Sequence, residues 1–250
     1  MIGVEGTDGM ARSVVLAGTG RCDGCRLPPR WCVCGALPKV DTGVAVDILI
    51  HRREQWRPSS TGTLLARVIG GARLHIHRPD PCSRDSPVLP PALLRPGHEC
   101  WVLHPQGEPV DAEMPLTSRP LPVQVVLLDG NWREAGEMLR LVNAAAGTAT
   151  REGTAPIRVV RLPDVAPGRF WIREAPAPEQ RSTAEACGAI LGVLGETVAA
   201  ERLRLHFELH VWATLRARGK VAEANAYLAE SPLTGAIPAI LAALETRRPA

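Results

Sequence analysis

Val123-Gln-Val-Val-Leu-Leu128, running straight into Asp129-Gly130-Asn131-Trp132, is the most apolar strand-length segment of the chain. A strand that is apolar at nearly every position is covered on both faces, as central strands of parallel sheets are. Beyond the turn, Ala135, Met138, Leu139 and Val142 share one face of a helical pattern. Strand, turn and helix in succession set an α/β reading for the chain.

The same grammar appears upstream. Val44 to Ile50 is a short β-branched run that ends at the polar segment His51 to Arg57. Pro58-Ser-Ser-Thr61 then supplies helix-start chemistry, Leu64, Leu65, Val68 and Ile69 mark one face, and Gly70-Gly71 stops the helix. Further strands are expected at 73–77, 99–103 and 157–162. From Ser182 one long helical region is expected, its apolar face running through Leu203, Phe207, Val211 and Leu215 to a break at Gly219. Two shorter helices, 221–228 and 237–244, close the chain.

Composition bounds the function. With 250 residues and 45% hydrophobic content the chain builds a sizeable core. No apolar run reaches the roughly 18 residues of a membrane span, and residues 1–20 lack the features of a secretory signal. A soluble cytoplasmic protein with no membrane partner is expected. Net charge of +3 neither demands nor excludes a polyanion, although nearly all the basic side chains are arginines, which suit bidentate phosphate contacts.

Four of the seven cysteines, Cys22, Cys25, Cys32 and Cys34, crowd into one short stretch. Their spacing suits a closed tetrahedral zinc site, which leaves no open position for catalysis. Zinc is therefore assigned to folding, or to presenting Arg21, Arg26 and Arg30. His206 and His210 share a helical face but lack a third ligand, and His75 and His77 read as ordinary surface or loop-facing side chains.

Three further segments hold reactive groups. His51 to Gly62 joins a strand to a helix, where α/β sheets place ligand loops, and it also fits a solvated loop with a helix cap. Asp129 at a strand end is placed either to act as a base or to cap the helix that follows. Trp132 fits core packing better than a stacking surface. Ser182-x-x-Glu185 has capping-box spacing and marks a helix N-terminus able to hold an anionic group.

Taken in order, the cysteine pattern, His51 to Leu65 with His-x-x-Glu and Thr-Gly-x-Leu-Leu, Asp129 to Trp132, and Phe170-Trp-Ile-Arg173 through Ser182-Thr-Ala-Glu-Ala186 resemble the DTW-domain family. These are tRNA-uridine aminocarboxypropyltransferases. The resemblance implies a SPOUT-like, mainly parallel sheet with a carboxyl-terminal trefoil knot, S-adenosylmethionine as donor, and tRNA as partner. It implies Asp129 and Trp132 as catalytic, and Leu128, Gly130, Asn131, Arg173, Ser182, Thr183 and Glu185 around the donor. It places His51, Arg52, Arg53, Glu54, Arg57 and Thr61 toward RNA. Asn131 stands where the family's Asp-x-Thr-Trp has threonine.

The expected organisation is a flexible N-terminus at 1–18, a zinc-binding four-cysteine element at 19–40, a catalytic domain at 41–200 and a helical extension at 201–250, in a monomer. A SPOUT-type RNA methyltransferase and a non-catalytic zinc-containing RNA-binding module are the competing expectations.

Overall fold

The computed structural model describes residues 20–78, 89–90, 92–110, 114–151, 157–163, 168–173 and 181–245. Five parallel strands form one sheet: β1 (Ala45–His51), β2 (Arg73–His77), β3 (Glu99–Pro109), β4 (Val123–Asp129) and β5 (Ile157–Arg161), in the order β2-β1-β4-β3-β5. The helices are α1 (Thr61–Val68), α2 (Trp132–Arg151), α3 (Thr183–Val193), α4 (Thr197–Ala217), α5 (Val221–Ala229) and α6 (Ile237–Glu245).

β4 owes its central place to apolar side chains on both faces. Val125 and Leu127 join Val46, Ile48 and Ile50 in a core shared with α1, α3 and α4. Val126 turns the other way and packs with Leu49, Val102 and, from α2, Met138, Leu141 and Val142. Leaving β1, the chain crosses through α1 to β2 on one side. Leaving β4, it crosses through α2 to β5 at the opposite edge. Adjacent strands whose connections diverge open a crevice at their carboxyl ends, the usual ligand position in such sheets. Ile50 lies beside Asp129 in that crevice.

Three expectations change. The long helical region is two helices, because Gly195 adopts a positive φ of 83° and turns the chain between α3 and α4. A boundary at 200/201 would cut α4, which runs unbroken from Thr197 to Ala217. His75 and His77 are not surface side chains: His77 is buried, and His75 Nε2 lies 2.8 Å from the fully buried Asp47. The segment 1–18 and Cys82 lie outside the described residues, as do parts of the path between β5 and α3 on which the expected knot depends.

Asp47 anchors the sheet. Its carboxylate accepts from Arg73 Nε and Arg95 Nε, each at 2.6 Å, and from Gln124 Nε2 at 2.9 Å. It thereby ties β1 to β2, to β4 and to the chain before β3. Burial pushes this carboxyl up, but the hydrogen bonds from Arg73, His75 and Arg95 outweigh it and hold it below the usual range. A depressed folded-state pKa gives stability that is complete above the unfolded value and is lost as pH falls. Asp47→Asn is expected to cost about 3 kcal/mol in urea unfolding at neutral pH. It should also remove part of the stability loss that the wild-type protein shows below about pH 4.

Candidate active site at the ends of β1 and β4

Asp129 ends β4 and points into the face that holds α1 and α3, with 6% of its surface exposed. Two helix starts converge on it. Ser60, the N-cap of α1, accepts from Thr63 N at 3.1 Å and donates its own proton to Asp129 Oδ2 at 3.0 Å. Thr183, in the first turn of α3, donates to Oδ1 at 2.5 Å. Burial pushes the Asp129 carboxyl above the usual carboxylate range. The hydroxyls of Thr183 and Ser60 and the Arg173 guanidinium pull against it, and Glu54 adds to the rise. A desolvated carboxylate with a raised pKa, held by two hydroxyls, has the chemistry of a candidate proton acceptor.

Gly62 is what lets the carboxylate sit there. A Cβ at this position would stand 2.5 Å from Asp129 Oδ2 and 2.7 Å from Cγ. Gly130 has the same kind of role on the other side of the strand: a Cβ there would meet Glu134 Cβ at 2.9 Å. It is close approach, not an unusual backbone angle, that requires glycine at both places.

Asp129 does not cap α2; Asn131 does. Asn131 Oδ1 accepts from Glu134 N at 3.0 Å, and Asn131 N donates to Glu134 Oε2 at 2.9 Å, a reciprocal capping box. Asparagine therefore performs the capping that a threonine hydroxyl performs elsewhere. Glu134 is itself 2% exposed, and its Oε1 lies 3.0 Å from His51 Nδ1. One carboxylate thus fastens the turn after β4 to the end of β1. Glu134 is absent from the site residues expected from sequence, although its place three residues after Asn131 is the spacing of a capping box.

The loop after β1 divides by depth: His51, Glu54 and Thr61 are buried, whereas Arg52, Arg53 and Arg57 face solvent. Glu54 accepts from Arg57 Nη1 at 2.5 Å and from Arg173 Nη2 at 2.8 Å, and the same Arg173 nitrogen lies 3.0 Å from Ser59 Oγ. Arg173, expected beside the donor, is thus braced against the His51 loop. Glu185, also expected there, engages both oxygens inside the chain: Oε2 on Ser182 and Oε1 on Arg169 N. Ser182 completes the capping box of α3. Leu128 is half-buried, Asn131 is exposed, and Trp132 is 52% exposed rather than packed in the core.

The four cysteines form the one candidate metal cluster among the described residues, with all sulfurs within 4.8 Å of one another. Cys22 and Cys34 Sγ are 3.8 Å apart, as are Cys25 and Cys32 Sγ. A tetrahedral ion with metal–sulfur bonds of about 2.3 Å has edges of about 3.8 Å, so the donor set fits zinc in size and chemistry. The element is built into the fold: Cys25, Leu27 and Val33 share the core of α1 and α4, and Trp31 meets Trp212 edge-on at 5.9 Å.

Residues 19–215, most of the chain, match the family model of the DTW domain. No solved structure matches the chain.

Gly62→Ala is expected to cost about 1–3 kcal/mol of unfolding free energy, since the added methyl drives into the Asp129 carboxylate. Gly136→Ala, on a helix and with nothing within 4 Å of the methyl it would gain, should be neutral or stabilising by up to about 1 kcal/mol. Equal effects of the two in denaturant titration would show that Asp129 is not tightly seated.

Proposed function

This chain belongs to the DTW-domain family, the tRNA aminocarboxypropyltransferases, and from that membership we propose that it transfers the 3-amino-3-carboxypropyl group of S-adenosylmethionine to N3 of a tRNA uridine. The products are 3-(3-amino-3-carboxypropyl)uridine and 5′-methylthioadenosine. The observation that carries the reading is Asp129: a carboxyl held above its ordinary range, buried between two helix starts at the divergent strand ends.

The uracil N3 proton has to leave before that nitrogen can form a bond. Asp129 accepts it, and its burial makes it a stronger base than a solvated carboxylate. The donor supplies an electrophilic carbon and a neutral thioether leaving group, so no general acid is required. Ser60 and Thr183 fix both carboxylate oxygens and so orient the base toward the crevice. Charge also favours the donor: Asp129 suits a sulfonium, and Arg173, 39% exposed along its side chain, offers a cation to a carboxylate. Leu128, Gly130, Asn131, Ser182 and Thr183 line the strand end and helix start beside the base, with Trp132 on the rim. Arg52, Arg53 and Arg57 supply phosphate contacts. The family carries tRNA modification in general, and the Asp129 geometry favours proton abstraction ahead of transfer. Zinc at the four cysteines closes the N-terminal element and takes no part in the reaction. No helix among the described residues is long and apolar enough to cross a membrane.

Asp129→Asn should abolish the mass gain of tRNA nucleosides incubated with S-adenosylmethionine, while donor binding by calorimetry is weakened but still measurable. Turnover at the wild-type rate would sink Asp129 as the base. Because the base works only when deprotonated, kcat/KM should fall as pH drops through its raised pKa. Ser60→Ala and Thr183→Val remove hydrogen bonds that pull that pKa down, so each should move the acidic limb to higher pH. A methylated or unchanged nucleoside would favour the two competing activities.

Elemental analysis is expected to find one zinc per chain. Cys32→Ser should lose it and lower the melting temperature, since the element shares the core of α1 and α4.

A further inference from the structure

The loop after β1 carries one large apolar side chain that its surroundings do not bury. Trp56 is 66% exposed, the most exposed of the large apolar side chains among the described residues. Its position is nonetheless set. Successive turns, Glu54 N to His51 O at 2.8 Å, Arg57 N to Glu54 O at 3.0 Å and Ser60 N to Arg57 O at 2.9 Å, fold the loop. Gln55 Nε2 closes on Arg52 O, and Glu54 is clamped by Arg57 and Arg173. The loop ends at Ser60, which holds Asp129. The exposed ring thus stands on a hydrogen-bonded loop, four residues along the chain from the Ser60 that donates to Asp129.

The four-cysteine element supplies the second half. Arg26, held in a left-handed conformation (φ 61°) within the cysteine knuckle by Arg26 N to Cys22 O, sets its guanidinium 5.3 Å from the Trp56 ring centroid. A cation against one face leaves the other face for a second planar group. Around it, Arg52, Arg53 and Arg57 are exposed, and the loop's acid, Glu54, is buried and paired. Asp23 stands 4.0 Å from Arg26. An apolar protein partner would call for apolar neighbours around the ring, and here the ring meets the Arg26 guanidinium on a loop whose exposed residues include Arg52, Arg53 and Arg57.

We propose that Trp56, backed by Arg26, is a platform on which an unpaired base of the substrate RNA stacks while Arg52, Arg53 and Arg57 hold the flanking phosphates. The stacked base has to be unpaired, because a base inside a duplex has both faces already stacked. This rests on the tRNA reading above and adds where on the protein the RNA lies.

The test compares binding of a labelled RNA hairpin with a uridine-rich loop and of a duplex of the same stem without the loop, at one salt concentration. Wild-type protein should prefer the hairpin. Trp56→Ala should weaken hairpin binding on the order of 10-fold, as loss of one stacked base does, and change duplex binding little. Trp56→Phe should keep most of the affinity, and Arg26→Ala should weaken the hairpin by a few-fold. Melting temperatures of the variants should match wild type, since the ring is exposed. Equal hairpin affinity for wild type and Trp56→Ala overturns the platform, as does folded wild-type protein that binds neither RNA, an outcome that would leave Trp56 to a protein partner. A parallel assay for donor-dependent mass gain on unmodified tRNA separates the two readings. Product formed with binding indifferent to Trp56 sinks the platform alone; binding that depends on Trp56 with no product sinks the transfer reaction and leaves the platform standing.

Discussion

A carboxylate buried at the end of a parallel strand is the constraint to which the rest of the site answers. Taking an acid out of water is unfavourable unless hydrogen bonds and dipoles replace the lost hydration. Asp129 finds hydrogen bonds at the starts of two helices, one hydroxyl from each. That arrangement needs α1 and α3 on one face of the sheet, both entering near the ends of β1 and β4. It also needs glycine at 62, for no other residue leaves room for the carboxylate.

Strand positions were legible in the sequence because local pattern governs them. The starts of β1, β2, β3, β4 and β5 fall at or within one residue of the apolar runs at 44, 73, 99, 123 and 157. Strand order was not legible, and what depended on it was misread. His75 looked like a surface residue because nothing near it in the chain explains it; its partner Asp47 is 28 residues away and becomes a neighbour only when β1 pairs with β2. The break at Gly195 was hidden because apolar spacing continues across it, so period alone could not separate α3 from α4. In the site, the cap roles of Asn131, Ser182 and Ser60 follow from short-range spacing. The bond from Glu134 to His51 spans two strands and has no local signature.

The cysteine element changes meaning once its packing is seen. By sequence it is an appendage ahead of a domain. In the fold it closes the core against α1 and α4, with Arg67 reaching Gly24 O and Trp31 against Trp212. The sheet, the element and the helices that follow the matched region therefore share one interior.

Raising the pKa of Asp129 carries a thermodynamic consequence for the whole fold. An acid whose folded pKa lies above its unfolded value stabilises the chain only while protonated, so the ionised form that can accept a proton is the form the empty fold tolerates least. A cation seated next to it reverses that balance. In the proposed reaction, binding of the cationic donor and ionisation of Asp129 are then one linked equilibrium, in which the donor returns to the fold the stability that burying the carboxylate took away.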